Sequence, residues 1–426
     1  MTASLAASLL EKASSADLAE AVRSLMEQNV KSFVPGDRIP LNVPTYGPQE
    51  VLEAIDSLIS TRVTMGEKVR RFEEMWAEYI GVDYAVMVNS GSSANLLALA
   101  ALGLPAGAEI ITPAVTWATT VFPISQVGAV PVLVDVEPDS FNIDPQEIER
   151  AITPDTRAIM LVHLLGRPCN MEAIQALARQ HHLVVLEDGC EATGAEWRGH
   201  KVGSFGDLGT FSFYFSHHLS TIEGGMVTTR NRVFADKLKS MRTHGGIRDL
   251  ESRKTWERQS PEIDPRFLFV HAGYNFRPTE IQGAFGIHQL PQLDGFIEGR
   301  RETVAYWNKR LTNCTNYLTL PQEEPGHVWL GYPLMGKPTA PFTRRALTDF
   351  LEGRGLETRP IVAGNIAEQP VMAELKHRVV GGLPNARAIH RQGFYIGCQR
   401  EIGLAARSAV VEYIHEFTGR FRCASL

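Results

Sequence analysis

Between residues 84 and 188 the chain repeats one pattern, a short and almost wholly apolar run followed by a helical stretch. DYAVMVNSG, AEIITP, VPVLVDV, RAIMLVHL and LVVLED read as strands, with SSANLLALAALG, TWATTVFPISQVG, PQEIERAI and MEAIQALARQ as helices among them. Strands that are apolar at nearly every position must be covered on both faces. The alternation therefore predicts an α/β fold, a mainly parallel sheet held between layers of helices. Beyond Asn275 the pattern changes. A helical stretch from Thr279 to Leu311, broken near Pro291, leads into short strands and helices that predict a smaller α+β lobe. The expected division is a helical extension at 1–33, a large α/β domain at 34–290 and a small domain at 291–426.

Several function classes drop out early. A net charge of -6 gives no basic field for nucleic acid. No apolar run approaches the about 20 residues that span a bilayer, so no membrane partner is expected. The N-terminus lacks the basic start of a signal peptide. It reads as amphipathic helices, with Leu5, Leu9 and Leu10 on one face and Leu18, Val22 and Leu25 on another, docking on this fold or on a partner subunit. Five cysteines at 169, 190, 314, 398 and 423 show no CxxC spacing, which predicts neither a disulfide framework nor a metal site. A reducing cytoplasm is the expected location.

Four stretches carry chemistry. In Asn89–Asn95, NSGSSAN, Gly91 turns the chain from strand to helix, so that backbone amides and the Ser92 and Ser93 hydroxyls make an anion site at a helix N-terminus. Asp188 closes LVVLED at the carboxyl edge of the sheet, where open α/β sheets bind ligands. Trp117, one turn into the next helix, offers a flat stacking surface. Asn275 and Arg277 precede a helix capped by Thr279, and the planar fork of Arg277 suits a carboxylate or phosphate. Each signal alone also fits a plain cap, core or solvated side chain. A fifth stretch, Phe211–Gly225, reads FSFYFSHHLSTIEGG, a half-buried strand ending in a Gly pair that permits a tight turn.

Taken in order, SGSSAN, TW, LED–CEATGA, FSFYFSHHLSTIEGG and GYNFRPTEIQGA resemble the motif series of the sugar-nucleotide aminotransferases and dehydratases, pyridoxal-phosphate enzymes of the aspartate-aminotransferase fold. The resemblance covers roughly Val34 to the C-terminus. It implies that Asp188 pairs with the pyridine nitrogen and that Trp117 stacks on the ring. Gly91, Ser92, Ser93 and Ser212 would hold the phosphate, Ser216 the phosphate or a ring substituent, and Glu191 the ring hydroxyl. Asn275 would reach that phosphate from a neighbouring subunit, making a homodimer with shared sites.

The departure is at His217, where the family places the lysine that bonds the cofactor covalently; imidazole cannot form a stable bond of that kind. No lysine lies between Lys201 and Lys237 to replace it. Two branches of the family carry this histidine, and both are sugar 3-dehydratases. One uses an iron–sulfur cluster and a reductase, and keeps three of four cysteines about thirty residues past the histidine. Here that region, THGGIRDLESRKTWERQS, has none, and Cys190 alone cannot hold a cluster. The resemblance therefore implies the branch without a cluster, which draws its amino group from L-glutamate and alternates between pyridoxal and pyridoxamine phosphate. Its substrate would be a nucleotide-linked 4-keto-6-deoxyhexose, GDP-4-keto-6-deoxy-D-mannose by resemblance alone. Arg248, Arg277 and Glu357 are the candidates for glutamate or for the substrate phosphates, His217 is the candidate base, and His218 is expected to be structural. The alternatives are a reductase-partnered 3-dehydrase and an inactive cofactor-binding homologue. A DNA-binding regulator on this fold would need a basic arm that the acidic N-terminus does not supply.

Overall fold

The computed structural model describes residues 15–28, 34 and 36–421. The helix expected around Leu5, Leu9 and Leu10, Pro35 of the following arm, and Cys423 lie outside the described residues. The second N-terminal helix is α1 (Ser15–Glu27), which packs on α2 (Pro48–Ile59). The large lobe continues through α3 (Glu67–Ile80), β1 (Tyr84–Val88), α4 (Gly91–Leu102), β2 (Glu109–Pro113), α5 (Ala118–Gln126), β3 (Val130–Val134), α6 (Pro145–Ala151), β4 (Thr156–Val162), α7 (Met171–His181) and β5 (Val184–Asp188). After a short hairpin of β6 (Glu196–Trp197) and β7 (His200–Lys201) come β8 (Leu208–Ser212), β9 (Gly225–Thr229), α8 (Arg232–Arg242), α9 (Arg253–Gln259), α10 (Glu280–Gln289) and α11 (Leu293–Arg310). The helical stretch from Thr279 does break where expected, at a single 3-10 turn over Leu290–Gln292 that contains Pro291. The small lobe adds β10 (Leu318–Thr319), β11 (Tyr332–Gly336), α12 (Arg344–Gly353), β12 (Thr358–Pro360), β13 (Arg378–Val379), α13 (Pro384–Gln392), β14 (Gly393–Ile396) and α14 (Leu404–Gly419).

Eight strands form the main sheet in the order β1-β9-β8-β5-β4-β2-β3-β13. β9 runs antiparallel to both neighbours, β1 and β8, and every other pairing is parallel. This is the α/β fold that the apolar runs require. β3, β8 and β9 are buried at every residue, so β8 is not half-buried as its alternation suggested. The second sheet, β10-β11-β14-β12, is antiparallel and belongs to the small lobe. β13 comes from beyond residue 290 yet pairs with β3, so the main sheet draws on both sides of that expected boundary. A bidentate pair from Arg378 to Glu109, at 2.8 and 2.6 Å, fixes this edge.

The stretch GYNFRPTEIQGA contributes a structural joint. Glu280 is almost fully buried, and its carboxylate accepts from the amides of Gly66, Lys68 and Val69 at the start of α3. One acidic side chain thus caps a distant helix and complements its dipole. Among the described residues no helix is long and apolar enough to cross a membrane, and no group of three or more His, Cys, Asp or Glu is arranged to hold a metal.

Candidate active site

The parallel strands end at one edge of the main sheet, and a cleft of about 790 Å³ opens there. Its floor comes from residues just past β1, β2, β5 and β8, and its opposite wall from the small sheet and the arm at Arg38–Asn42. The arm, read as irregular from its Pro and Gly content, is held in place by ladder-like bonds: Ile39 N–H donates to Gly355 and Glu357 N–H donates to Ile39.

At the foot of the cleft α4 begins at Gly91, capped by the Ser90 hydroxyl, which accepts from the Ser93 amide. Gly91 is required here by contact: a Cβ would lie 2.5 Å from Cβ of Ser212 and 3.1 Å from Sγ of Cys190. Gly225 is required in the same way, since its Cβ would lie 2.3 Å from the Ser90 carbonyl oxygen. Gly225 thus lets β9 approach the start of α4, and neither Gly224 nor Gly225 has a positive φ. Gly91, Ser92 and Ser212 line the cleft, while the Ser93 hydroxyl is bonded to Ser90.

Asp188 is 4% exposed and accepts three neutral hydrogen bonds, from Asn95 Nδ2 at 2.9 Å, Thr120 Oγ1 at 2.8 Å and the Cys190 amide at 3.1 Å. Thr210 donates to Asn95 at 2.6 Å and Thr116 donates to Thr120 at 2.8 Å, so the donors are themselves oriented. No Lys, Arg or His of the described residues pairs with Asp188. A buried carboxylate held only by neutral donors favours a cationic ligand in the cleft. Asn95 and Thr120 were missed as functional side chains. The available signal was a buried-type polar residue inside the otherwise apolar helix SSANLLALAALG.

Trp117 is the N-cap of α5, just before the helix and not inside it, and the residue is 57% exposed and lines the cleft. Glu191 accepts from the Leu165 amide at 2.8 Å. Burial pushes its carboxyl up to about 7, the Leu165 bond opposing and Asp188 adding to the shift.

His217 and Ser216 sit in the loop that joins β8 to β9. The loop is braced at its base by Phe213 N–H donating to Gly224 and Thr221 N–H donating to Phe213. Trp76 meets the rings of Phe211 and Phe213 edge-on, at 5.1 and 4.7 Å between centroids. The Nδ1 atom of His217 lies 2.5 Å from the Cys190 carbonyl oxygen. Burial depresses the His217 imidazole to about 4, against the raising effects of the Cys190 carbonyl and Asp188. His218 is fully buried and its Nε2–H donates to the Val328 carbonyl at 3.0 Å, away from the cleft lining. Among the described residues no lysine lines the cleft.

At the mouth, Glu357 accepts from Arg38 at 2.9 Å, from the Leu41 amide at 3.1 Å and from Arg359 at 2.7 Å. Burial raises its carboxyl, but these three donors outweigh that effect and leave it below the usual carboxylate range. Among the described residues, Arg38 and Arg359 are the guanidiniums that line the cleft, and neither stood out in the sequence. Arg248, Arg277 and Asn275 lie outside it and are exposed. Arg277 Nε donates to Asn275 Oδ1 at 3.0 Å, on a segment fixed to the far side of β1 by Asn89 N–H donating to Phe276.

This chain is similar in sequence to GDP-4-keto-6-deoxy-D-mannose 3-dehydratase of Yersinia pseudotuberculosis, 39% identical over 368 residues that make up 84% of this chain and 93% of the relative. Its fold superposes on the Escherichia coli GDP-4-keto-6-deoxy-D-mannose-3-dehydratase with bound hydrated PLP, with a TM-score of 0.80 and 35% identity over 88% of this chain and 98% of the other. It also superposes on a GDP-4-keto-6-deoxymannose-3-dehydratase with a trapped PLP-glutamate geminal diamine, with a TM-score of 0.80 and 34% identity over 88% and 99% of the two chains. With these likenesses, and with the family model matching residues 44–415, the chain belongs to the DegT/DnrJ/EryC1/StrS aminotransferase family.

Proposed function

We propose that this protein is a pyridoxal-phosphate- and glutamate-dependent 3-dehydratase. It removes the C3 hydroxyl of a nucleotide-linked 4-keto-6-deoxyhexose, GDP-4-keto-6-deoxy-D-mannose being favoured, and leaves a 4-keto-3,6-dideoxy sugar. The observation that carries this reading is His217: at the position where the resemblance implies a lysine stands an imidazole held neutral by burial, in a cleft that no lysine of the described residues lines. Relatives named as 3-dehydratases, similar over most of both chains, support it.

The residues present fit the cofactor. The amides that open α4, with Ser92 and Ser212 beside the cradle kept open by Gly91, suit a phosphate. Asp188, without a cationic partner, suits a protonated pyridine nitrogen, and the exposed face of Trp117 suits a planar ring. Glu191, protonated up to about pH 7, suits a ring hydroxyl. When bound, the cofactor supplies an electron sink beside the C4 carbon of the sugar.

The protein supplies position and proton transfer. A carbonyl oxygen only accepts, so Cys190 keeps the proton of His217 on Nδ1 and leaves the Nε2 lone pair free. Nε2 takes a proton from the reacting centre and returns it to the departing C3 hydroxyl when both lie on one face. Asp188, oriented by its three donors, would present its carboxylate to the ring nitrogen. Arg38 and Arg359, already oriented by Glu357, present donors to the carboxylates of glutamate or the substrate diphosphate. In this reading the active unit is a homodimer, which the exposed Asn275, Arg277, Phe267 and Phe269 on one segment support. A cytoplasmic setting accords with Cys169, Cys190 and Cys398 forming no disulfide.

The test is incubation with pyridoxal phosphate, L-glutamate and GDP-, CDP- or dTDP-linked 4-keto-6-deoxyhexoses. Ammonia and a 3-deoxy product are expected, first with the GDP sugar. Their absence under every combination would overturn the proposal.

A further inference from the structure

The small sheet places Tyr395 of β14 directly opposite Arg359 of β12, so both belong to the wall that this sheet gives the cleft. The ring is fixed. Gly331 makes room for it, since a Cβ there would lie 2.3 Å from Cδ2 of Tyr395, and Leu330, Met335 and Val362 share its apolar cluster. The hydroxyl is different: among the described residues it has no hydrogen-bond partner. The two other tyrosines whose phenols burial also raises are satisfied, Tyr332 by Asn308 at 2.8 Å and Tyr79 by Asp294 at 3.0 Å. A phenol whose body is packed and whose polar end is left open to a cleft is arranged for a ligand. Burial, then Glu191, and also Glu357 raise it well above the usual tyrosine value, so it stays a donor throughout the physiological range.

We infer that the Tyr395 hydroxyl donates a hydrogen bond to a free hydroxyl of the hexose ring and is a specificity-determining residue. The inference rests on the 3-dehydratase reading, which limits the free hydroxyls. A 4-keto-6-deoxyhexose joined to its nucleotide at C1 has a carbonyl at C4, the ring oxygen on C5 and a methyl at C6. Only the C2 and C3 hydroxyls remain. At C2 the bond anchors the sugar through the whole reaction. At C3 it polarises the group that leaves, and it disappears in the product. In either case a sugar lacking that hydroxyl strands a half-buried donor, which is how such sites reject analogues.

The experiment compares cofactor-loaded wild type with Tyr395→Phe, which keeps the ring and its packing. Conversion of the bound cofactor by glutamate, followed by absorbance, is expected to stay within twofold, and thermal stability to be unchanged. Dehydration kcat/KM is expected to fall about five- to fifty-fold, the effect of an unmade bond in a desolvated site. A rise in KM, together with equal turnover of the 2-deoxy analogue by both enzymes, assigns the bond to C2. A fall in kcat that persists with the 2-deoxy analogue assigns it to C3. If kcat and KM of Tyr395→Phe both stay within twofold of wild type, or if the glutamate half-reaction falls as far as dehydration, the inference is overturned. Failure of the underlying reading looks different, because wild type would then yield no 3-deoxy product.

Discussion

The Nδ1 atom of His217 lies 2.5 Å from the carbonyl oxygen of Cys190, and the amide of the same Cys190 donates to Asp188 at 3.1 Å. One peptide segment therefore orients both the proposed base and the carboxylate proposed to face the cofactor ring. The first bond fixes which imidazole nitrogen is free, and the second fixes where the carboxylate stands.

His217→Asn removes the base but keeps a side chain of similar polarity. Dehydration is expected to fall by about 10²-fold or more, the usual contribution of a positioned general base, with cofactor affinity within a few-fold. His217→Lys is expected to lose dehydration and to gain a borohydride-reducible link to the cofactor, visible as added mass. A His217→Asn enzyme within tenfold of wild type would remove the role given to this residue.

Glu191 titrates at about 7 because of its burial, so its protonated form is the donor available to a ring hydroxyl. Dehydration is expected to decline as pH rises through about 7. Glu191→Gln, which keeps a donor at every pH, is expected to flatten that limb. The acid limb set by His217 belongs well below pH 6, since its imidazole is depressed to about 4.

Three buried histidines make the fold acid-sensitive. Burial lowers His217 to about 4, His327 to about 3 and His218 well below its ordinary value. The unfolded chain takes up these protons near pH 6.5 while the folded chain does not. Stability is therefore full above about pH 6.5 and falls as pH drops toward 4, by about 1.4 kcal/mol per pH unit for each proton. Melting of the cofactor-free protein between pH 7 and 5 should show this slope, and His327→Gln should reduce it. A flat profile would mean that these imidazoles are not buried in the neutral form.

Gly91→Ala pushes a methyl to 2.5 Å from Ser212. A loss of about 1–3 kcal/mol in denaturant melts is expected, as for overpacking elsewhere. Because the same contact shapes the phosphate cradle, cofactor affinity should fall as well. Ser212→Gly, which clears the contact, should restore stability more than affinity.

Shared sites can be tested by mixing variants. Arg277→Ala and His217→Asn homodimers should each be impaired. Co-expressed in equal amounts they should recover about a quarter of wild-type activity, since half the dimers carry one intact site of two. No recovery would confine each site to one chain.

Much of this protein was legible in its sequence. The near-continuous apolar runs of β3, β4 and β5 demand cover on both faces and so decide the α/β sandwich. The order of short motifs decides the family, and the imidazole at 217, where the resemblance implies a lysine, carries the proposed class of chemistry, because covalent reactivity belongs to the side chain itself. What the sequence could not decide is which distant groups meet. Asn95 and Asp188 stand 93 residues apart and Arg38 and Glu357 stand 319 apart, yet each pair is in hydrogen-bond contact. Such contacts follow from strand order and from how the small sheet closes on the large one, neither of which leaves a local periodicity. Arg248, Arg277, Arg38 and Arg359 look alike as sequence, and only the closed fold brings the last two into the cleft of their own chain. The free nitrogen of His217 was equally invisible, since it is set by a backbone carbonyl, a group that every residue carries.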